Sequence, residues 1–338
     1  CSSDLPANLS IDNITTSGLR LNWLDNTPDE VGFYIYRTTA PENGYTKIDS
    51  VLANTITYTS NGLLPNTRYY YAVSAYNVNG ESQLAYADAY TNAVTPNVPV
   101  LSAATYTTMN ATFDSSGNPT STQFAVRVIT GVTTKYLHTN GKLVDTTVWA
   151  TFASFGGING KTVTGLSRGT SYTFDMKARN GINVETPFGP SATLATIAPI
   201  SSFPYTNNFE GETDENWTTG KYIQGTTTFN DWARGTPAKA YLNSAHSGTK
   251  AWVTKLSGDY NNNHAGYVMS PDFDFSSMNG DPTVVFWHKF LLEVGWDAGV
   301  LEYSTDGGNN WRRVDSTLGT GNSFNTATSK GWYNNTST

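Results

Sequence analysis

Two stretches of the chain, 103 positions apart, carry the same alternation of apolar and polar residues. Leu63 to Asn77 reads LLPNTRYYYAVSAYN, and Leu166 to Asn180 reads LSRGTSYTFDMKARN. Tyr69, Tyr71, Val73 and Ala75 fall on one side of the first stretch; Tyr172, Phe174, Met176 and Ala178 fall on one side of the second. A period of two predicts a half-buried β-strand, here preceded by a turn. Upstream, Leu19, Leu21 and Trp23 alternate with Arg20 and Asn22, and Val31, Phe33 and Ile35 alternate with Tyr34 and Tyr36. Met109, Ala111 and Phe113, then Phe124, Val126 and Val128, repeat that pair of strands in the second copy, with Phe113 in the place of Trp23. A repeat of about 100 residues is one small all-β domain, not a solenoid unit.

Both stretches resemble the fibronectin type III domain at its E–F corner and F strand. The resemblance makes Tyr69 and Tyr172 the tyrosines of the corner, with rings on the core and hydroxyls bonded to upstream backbone. It also places Trp23 on strand B, between the two sheets. The second copy has Arg168 where the first has Pro65, so its turn departs from the pattern. The predicted layout is a tether at 1–5, one fibronectin type III domain at 6–95 and a fibronectin type III-like domain at 96–198. Thr95-Pro96-Asn97-Val98-Pro99 is a short, semi-rigid linker. In the second copy the stretch from Thr130 to Lys161 is longer and looser than its counterpart. Six residues are also inserted after the F strand, since Gly80 and Gly189 stand 109 positions apart against 103 upstream. Loops at one end of a sandwich are where binding usually resides.

Beyond Ala198-Pro199 the composition changes: seven of the nine tryptophans follow it. The order of landmarks is Asn208-Phe209-Glu210, Trp232 with Gly235-Thr236-Pro237, Ser247-Gly248, Trp252, Leu256-Ser257-Gly258-Asp259-Tyr260, Ser270-Pro271 and Phe286-Trp287. This order resembles the MAM-like jelly-roll modules of secreted bacterial proteins, including those beside immune-inhibitor-A-type peptidases and in surface proteins of gliding bacteria. The resemblance implies a jelly-roll sandwich over 199–338, incomplete because related modules continue for several more strands. It also implies a structural calcium ion near the first strand. Glu210 matches its ligand, with Asp214 close by and Asp274 on a later strand. Calcium draws six to eight oxygen ligands from separate loops; a solvated acidic loop is the other reading of the same residues.

Aromatics make up 13% of the 338 residues and charged residues only 14%, a mixture that suits secreted β-sandwiches. A net charge of −7 offers no basic face to nucleic acid. No run of 18 apolar residues is present to span a membrane. The single cysteine, Cys1, excludes an internal disulfide. Followed by Ser2-Ser3-Asp4 it reads either as the lipid-bearing first residue of a mature bacterial lipoprotein or as a fragment edge.

Trp217, Trp296, Trp332 and Tyr260 flank polar or glycine-rich turns and are candidates for stacking on sugar rings; Trp252 and Trp287 follow strand patterns and are expected in the core. Ser304-Thr305-Asp306-Gly307-Gly308-Asn309-Asn310-Trp311 fits an Asp-box hairpin. It occurs once, which predicts a structural turn rather than a propeller blade. The metalloprotease, serine hydrolase and phosphate-binding signatures are absent, and the four histidines lack metal spacing. Glu293 and Glu302 are the one pair to consider as a glycosidase dyad. The sequence thus predicts an all-β, non-enzymatic, secreted or surface-attached bacterial protein that binds a surface protein or a polysaccharide. The alternatives are the accessory region of a longer secreted peptidase or glycosidase, and a structural subunit of an extracellular assembly. No Arg-Gly-Asp tripeptide supports integrin binding.

Overall fold

A computed structural model describes residues 5–26, 29–221, 229–292, 297 and 299–314. The chain divides after Ala198 into two compact units, Cys1–Ala198 and Pro199–Thr338. Strands are the regular elements throughout, with three short 3-10 turns, so the all-β class read from the alternation is the observed one.

The first unit opens with β1 (Ala7–Asp12), β2 (Gly18–Leu24), β3 (Gly32–Thr38), β4 (Thr46–Leu52), β5 (Thr57–Asn61), β6 (Arg68–Asn77), β7 (Gly80–Glu81) and β8 (Ala85–Tyr90). They form a three-stranded sheet, β1-β2-β5, and a five-stranded sheet, β4-β3-β6-β7 with β8 also on β6. Leu19, Leu21 and Trp23 from one sheet meet Phe33, Ile35, Tyr71 and Val73 from the other, all buried. Each such side chain contributes about 1.5–3 kcal/mol by leaving water. Trp23 lies against Phe33 at 5.5 Å between ring centres.

The same plan follows in β9 (Val100–Ser102), β10 (Thr108–Thr112), β11 (Gln123–Thr130), β12 (Thr133–Leu137), β13 (Leu143–Val144), β14 (Ala150–Thr151), β15 (Lys161–Thr164), β16 (Ser171–Arg179) and β17 (Ala192–Ala195). One sheet is β9-β10-β15, and the other is β13-β12-β11-β16-β17 with β14 on β11. Met109, Ala111 and Phe113 face Phe124, Val126, Phe174 and Met176 in its core. Both corner tyrosines are built alike. The Tyr69 hydroxyl accepts the Leu64 N–H at 2.9 Å, and the Tyr172 hydroxyl accepts the Ser167 N–H at 2.8 Å.

The segment read as a linker is tied to the second sandwich, where the Asn97 N–H donates to the Ser116 hydroxyl at 2.9 Å and its side-chain amide to Asp114 at 2.7 Å, and the residues just before it are held there too. Ala93 is buried in the core of the second sandwich. The Asn118 amide clasps the peptide of Val94, accepting its N–H at 2.8 Å and donating to its carbonyl at 3.0 Å. Asn66, on the first sandwich, donates to the Thr122 hydroxyl at 2.7 Å and accepts the Gly181 N–H at 2.8 Å. The Tyr90 ring lies so close to Gly181 that a Cβ there would meet it at 2.3 Å. Only glycine admits that approach.

The second unit contains β18 (Thr218–Lys221), β19 (Trp232–Gly235), β20 (Ala251–Thr254), β21 (Gly266–Met269), β22 (Glu302–Tyr303) and β23 (Arg312–Arg313). They pair two by two, β18 with β21, β19 with β20 and β22 with β23. Among the described residues only Val253 of this unit is a buried hydrophobic side chain. Smaller apolar contacts join Phe203 to Phe275 and Tyr205 to Phe273, with ring centres 5.1 Å and 5.3 Å apart. Trp287, expected in the core, is 75% exposed and stacks on His246 at 4.0 Å. The reason is that 283–292 carries no strand pairing among the described residues, so nothing covers its alternate positions.

Candidate functional site

The most distinctive surface is the outer face of the five-stranded sheet in the first sandwich. Alternation sends Tyr69, Tyr71, Val73 and Ala75 of β6 into the core, and therefore Tyr70, Ala72, Ser74 and Tyr76 to the other side. Register places Tyr36 of β3 and Tyr86 of β8 on either side of Ala72, and Tyr34 beside Ser74. Tyr45 adds its ring against Tyr86 at 5.5 Å, and Tyr90 ends the row on β8.

These rings lie down on the sheet. Ala72 and Ser74 are fully buried beneath them although both face outward. Tyr76 can lie flat because its register partner is Gly32, where a Cβ would meet the Tyr76 ring at 3.1 Å. It stacks face to face on Tyr34, with centroids 4.0 Å apart and planes 7° apart, and Lys47 Nζ sits 4.1 Å from the centre of the Tyr34 ring. The Tyr36 hydroxyl donates to the Glu81 carboxylate at 2.7 Å. Loss of water around that phenol, then the hydrogen bond to Glu81, push its pKa up to about 12. Burial and the neighbouring Tyr86 also raise the pKa of Tyr45. The charged side chains set among the rings are engaged in place. Arg68 bonds Asp88 at 2.7 Å and lies over Tyr70, Glu81 also accepts from Ser74, and Lys47 is held by Tyr34. Two cations and two anions leave this face neutral.

The second sandwich treats the same face differently. At the 103-residue offset, Tyr70, Ala72, Ser74 and Tyr76 become Thr173, Asp175, Lys177 and Arg179. Over these lie Trp149 and Phe188, each from one of the two stretches that are longer in the second copy. Arg127 stacks on Phe188 at 3.8 Å, Arg179 on Trp149 at 4.4 Å, and Lys177 lies near both rings. Arg127 pairs through two hydrogen bonds with the buried Asp175, and Lys177 pairs with Glu185, which completes the cover. In the first copy the corresponding loops are short, and the tyrosine face stays open.

The residues singled out in the sequence have other surroundings. Glu210 accepts the Thr249 and Lys250 N–H groups at 2.8 and 2.6 Å and the Thr249 hydroxyl at 2.9 Å, which hold its carboxyl below the usual range. The carbonyls around it serve cations of the chain itself. Arg234 donates to those of Phe209 and Gly211 and to the Asp214 carboxylate, while the Lys250 ammonium reaches those of Glu210 and Gly211. Asp274 accepts the Ser276 N–H at 2.9 Å and closes its own turn. Among the described residues no group of three or more His, Cys, Asp or Glu is gathered as a metal site. The donor set around Glu210 does not fit a calcium ion, because arginine and lysine take the oxygens that the ion would need. Trp217 is packed edge-on against Phe209 at 5.1 Å and donates to the Tyr205 hydroxyl, so it is not a free platform. Tyr260 donates to Asp297 and lies under Lys239. Glu302 sits in β22 opposite Arg313. Trp296, Trp332, Glu293 and Cys1 lie outside the described residues. The Asp box is a turn: Asp306 accepts from Ser304 and from the backbone and side chain of Asn310, which draw its pKa down to about 2.

Sequence reasoning placed Tyr34 and Tyr36 on the outer side of their strand but missed the face they belong to. The signal was present, since Tyr70, Tyr76, Tyr86 and Tyr90 hold the polar phase of their own strands.

Residues 4–87 match the fibronectin type III domain. Among solved structures, a two-domain fibronectin type III segment from chicken tenascin is similar over 56% of this chain and 99% of its own, with 16% identity and a TM-score of 0.42. A protein described as FN3tt mut matches 26% of this chain and 96% of its own at 26% identity, with a TM-score of 0.24. A computationally redesigned β-sandwich protein matches 26% of this chain and 94% of its own at 20% identity, with a TM-score of 0.24. No curated protein sequence matches the chain. The molecule is an all-β protein, and it carries a fibronectin type III domain at 4–87.

Proposed function

We propose that this chain is a non-enzymatic, secreted or surface-attached bacterial protein that binds an extracellular ligand through the tyrosine face of its first sandwich. The observation that carries the reading is the contrast between the copies. The second sandwich covers its sheet with Trp149 and Phe188, whereas the first leaves its tyrosine row half-buried and Tyr86 60% exposed. Tyrosine gives a large contact area with few rotors and a polar tip, which is why it recurs at binding surfaces. The second sandwich is read as a further fibronectin type III copy, on the strength of its matching corner at Tyr172.

Residues 199–338 are read as a MAM-like jelly-roll module. The support is the order of its landmarks, together with the clasp of Glu210 on Thr249-Lys250 and the Trp232 indole bonded to the Gly266 carbonyl. A lipid on Cys1 would hold such a chain at a membrane surface.

A binding screen of the whole chain against extracellular polysaccharides and proteins tests the proposal. Retention that Tyr86→Ala weakens is expected. Retention that is indifferent to every tyrosine of the face would move the site elsewhere.

A further inference from the structure

We propose that the occupant of the tyrosine face is a neutral polysaccharide chain lying across β3, β6 and β8; the inference rests on the binding role proposed above. The shape argues first. Tyr76 and Tyr34 stack on each other with Lys47 on the other face of Tyr34, and the ring left open is Tyr86, 60% exposed, on the far side of β6. Ala72 and Ser74 are sealed beneath, so the middle of the face is closed, and the cavity beside it, about 90 Å³ and lined by Tyr76, Glu81 and Ser82, lies at the Asn77 end of β6. A pyranose presents a flat C–H face that stacks on such rings, with hydroxyls at its rim that meet phenol groups. Tyr36 and Tyr86 flank β6, so two strand spacings of about 4.8 Å separate their strands. That span is about the length of a disaccharide.

Charge argues second. Lys47, Arg68, Asp88 and Glu81 are all engaged within the face and sum to zero. A uronic or sulfated polymer would have to take Arg68 from Asp88 or lift Lys47 from the Tyr34 ring, and a basic one would compete with the Tyr36 and Ser74 hydroxyls for Glu81. An uncharged chain costs least to desolvate against such a surface.

Affinity electrophoresis of the whole chain tests this, in native gels containing a neutral β-glucan, a neutral mannan or alginate. A parallel arm uses immobilised extracellular proteins. Retardation by a neutral polymer and none by alginate is expected. Tyr86→Ala should weaken it about tenfold with little change in melting, Tyr34→Ser should weaken it with some loss of stability because its ring stacks on Tyr76, and Tyr86→Phe should retain most of it. The far-exposed Tyr86 keeps the test independent of folding. Binding to a protein alone, abolished by the same substitutions, would overturn the polysaccharide and leave the binding role standing. Retardation by alginate alone, or by a neutral polymer but unchanged in Tyr86→Ala and Tyr34→Ser, would overturn the inference too. No binding in either arm would overturn both.

Discussion

Asn66 and Gly181 are 115 positions apart and share a hydrogen bond of 2.8 Å, from the Gly181 N–H to the Asn66 side chain. The other end of the same amide donates to Thr122. A buried turn residue of the first sandwich thus fills hydrogen-bonding needs of the second. Asn66→Ala should leave the Gly181 N–H without its acceptor and lower stability by about 1–3 kcal/mol. Small-angle scattering of the excised 1–198 pair should broaden in step, because the joint loosens. Unchanged scattering and melting would show that the amide is dispensable.

Gly181→Ala would push a methyl group into the Tyr90 ring at 2.3 Å. It should destabilise the pair, and Tyr90→Ala should recover part of the loss by making room. A double-mutant cycle on thermal melting measures this coupling. Additive effects would show that the ring does not set the contact.

The two corner tyrosines make a matched pair of tests. Tyr69→Phe and Tyr172→Phe remove the acceptors of the Leu64 and Ser167 N–H groups. Each should cost about 1–2 kcal/mol, read from urea midpoints with unchanged slope. A cost in one and none in the other would mean that the two corners are not equivalent.

Arg234 gathers the loop over 209–214 by three backbone carbonyls and the Asp214 carboxylate. Arg234→Ala should lower the melting of the unit after Ala198. Arg234→Lys should recover only a fraction, because an ammonium lacks the planar fork. A chelator should move neither transition, since the oxygens around Glu210 already have donors. A downward shift in chelator would restore the calcium reading.

One histidine of the second unit, His264, has a lowered pKa, chiefly from burial. The folded state therefore binds a proton less readily than the unfolded state, whose value is near 6.5. Stability is full above that pH and falls as the pH drops through 6.5 towards the folded value. The Asp231 carboxylate, 3.6 Å from His264, opposes this without cancelling it. Calorimetry at pH 7 and 5.5 should show the second unit weakening, and His264→Gln should reduce the difference. A second unit that strengthens on acidification would reverse the sign assigned to burial.

Local alternation was enough to determine the all-β class, the repeat and most of the residues that meet in the two sandwich cores, although Val31, read in phase with Phe33 and Ile35, lies just ahead of its strand and is 51% exposed. A strand with period two has only one face to bury, and Leu19, Phe33, Tyr71 and their counterparts left no second choice. The corner tyrosines were legible for the same reason, because their partner backbone lies five residues upstream. What tertiary structure alone decided was which polar-phase residues share a surface. Tyr34, Tyr76 and Tyr86 come from three strands, and only the pairing register brings them together over Ala72 and Ser74. Whether that face is covered depends on loops such as those bearing Trp149 and Phe188, whose path no periodicity encodes. The loop around Glu210 follows the same logic: a carboxylate recruits a metal or an N–H according to what long-range folding sets beside it, and here it set Thr249 and Lys250.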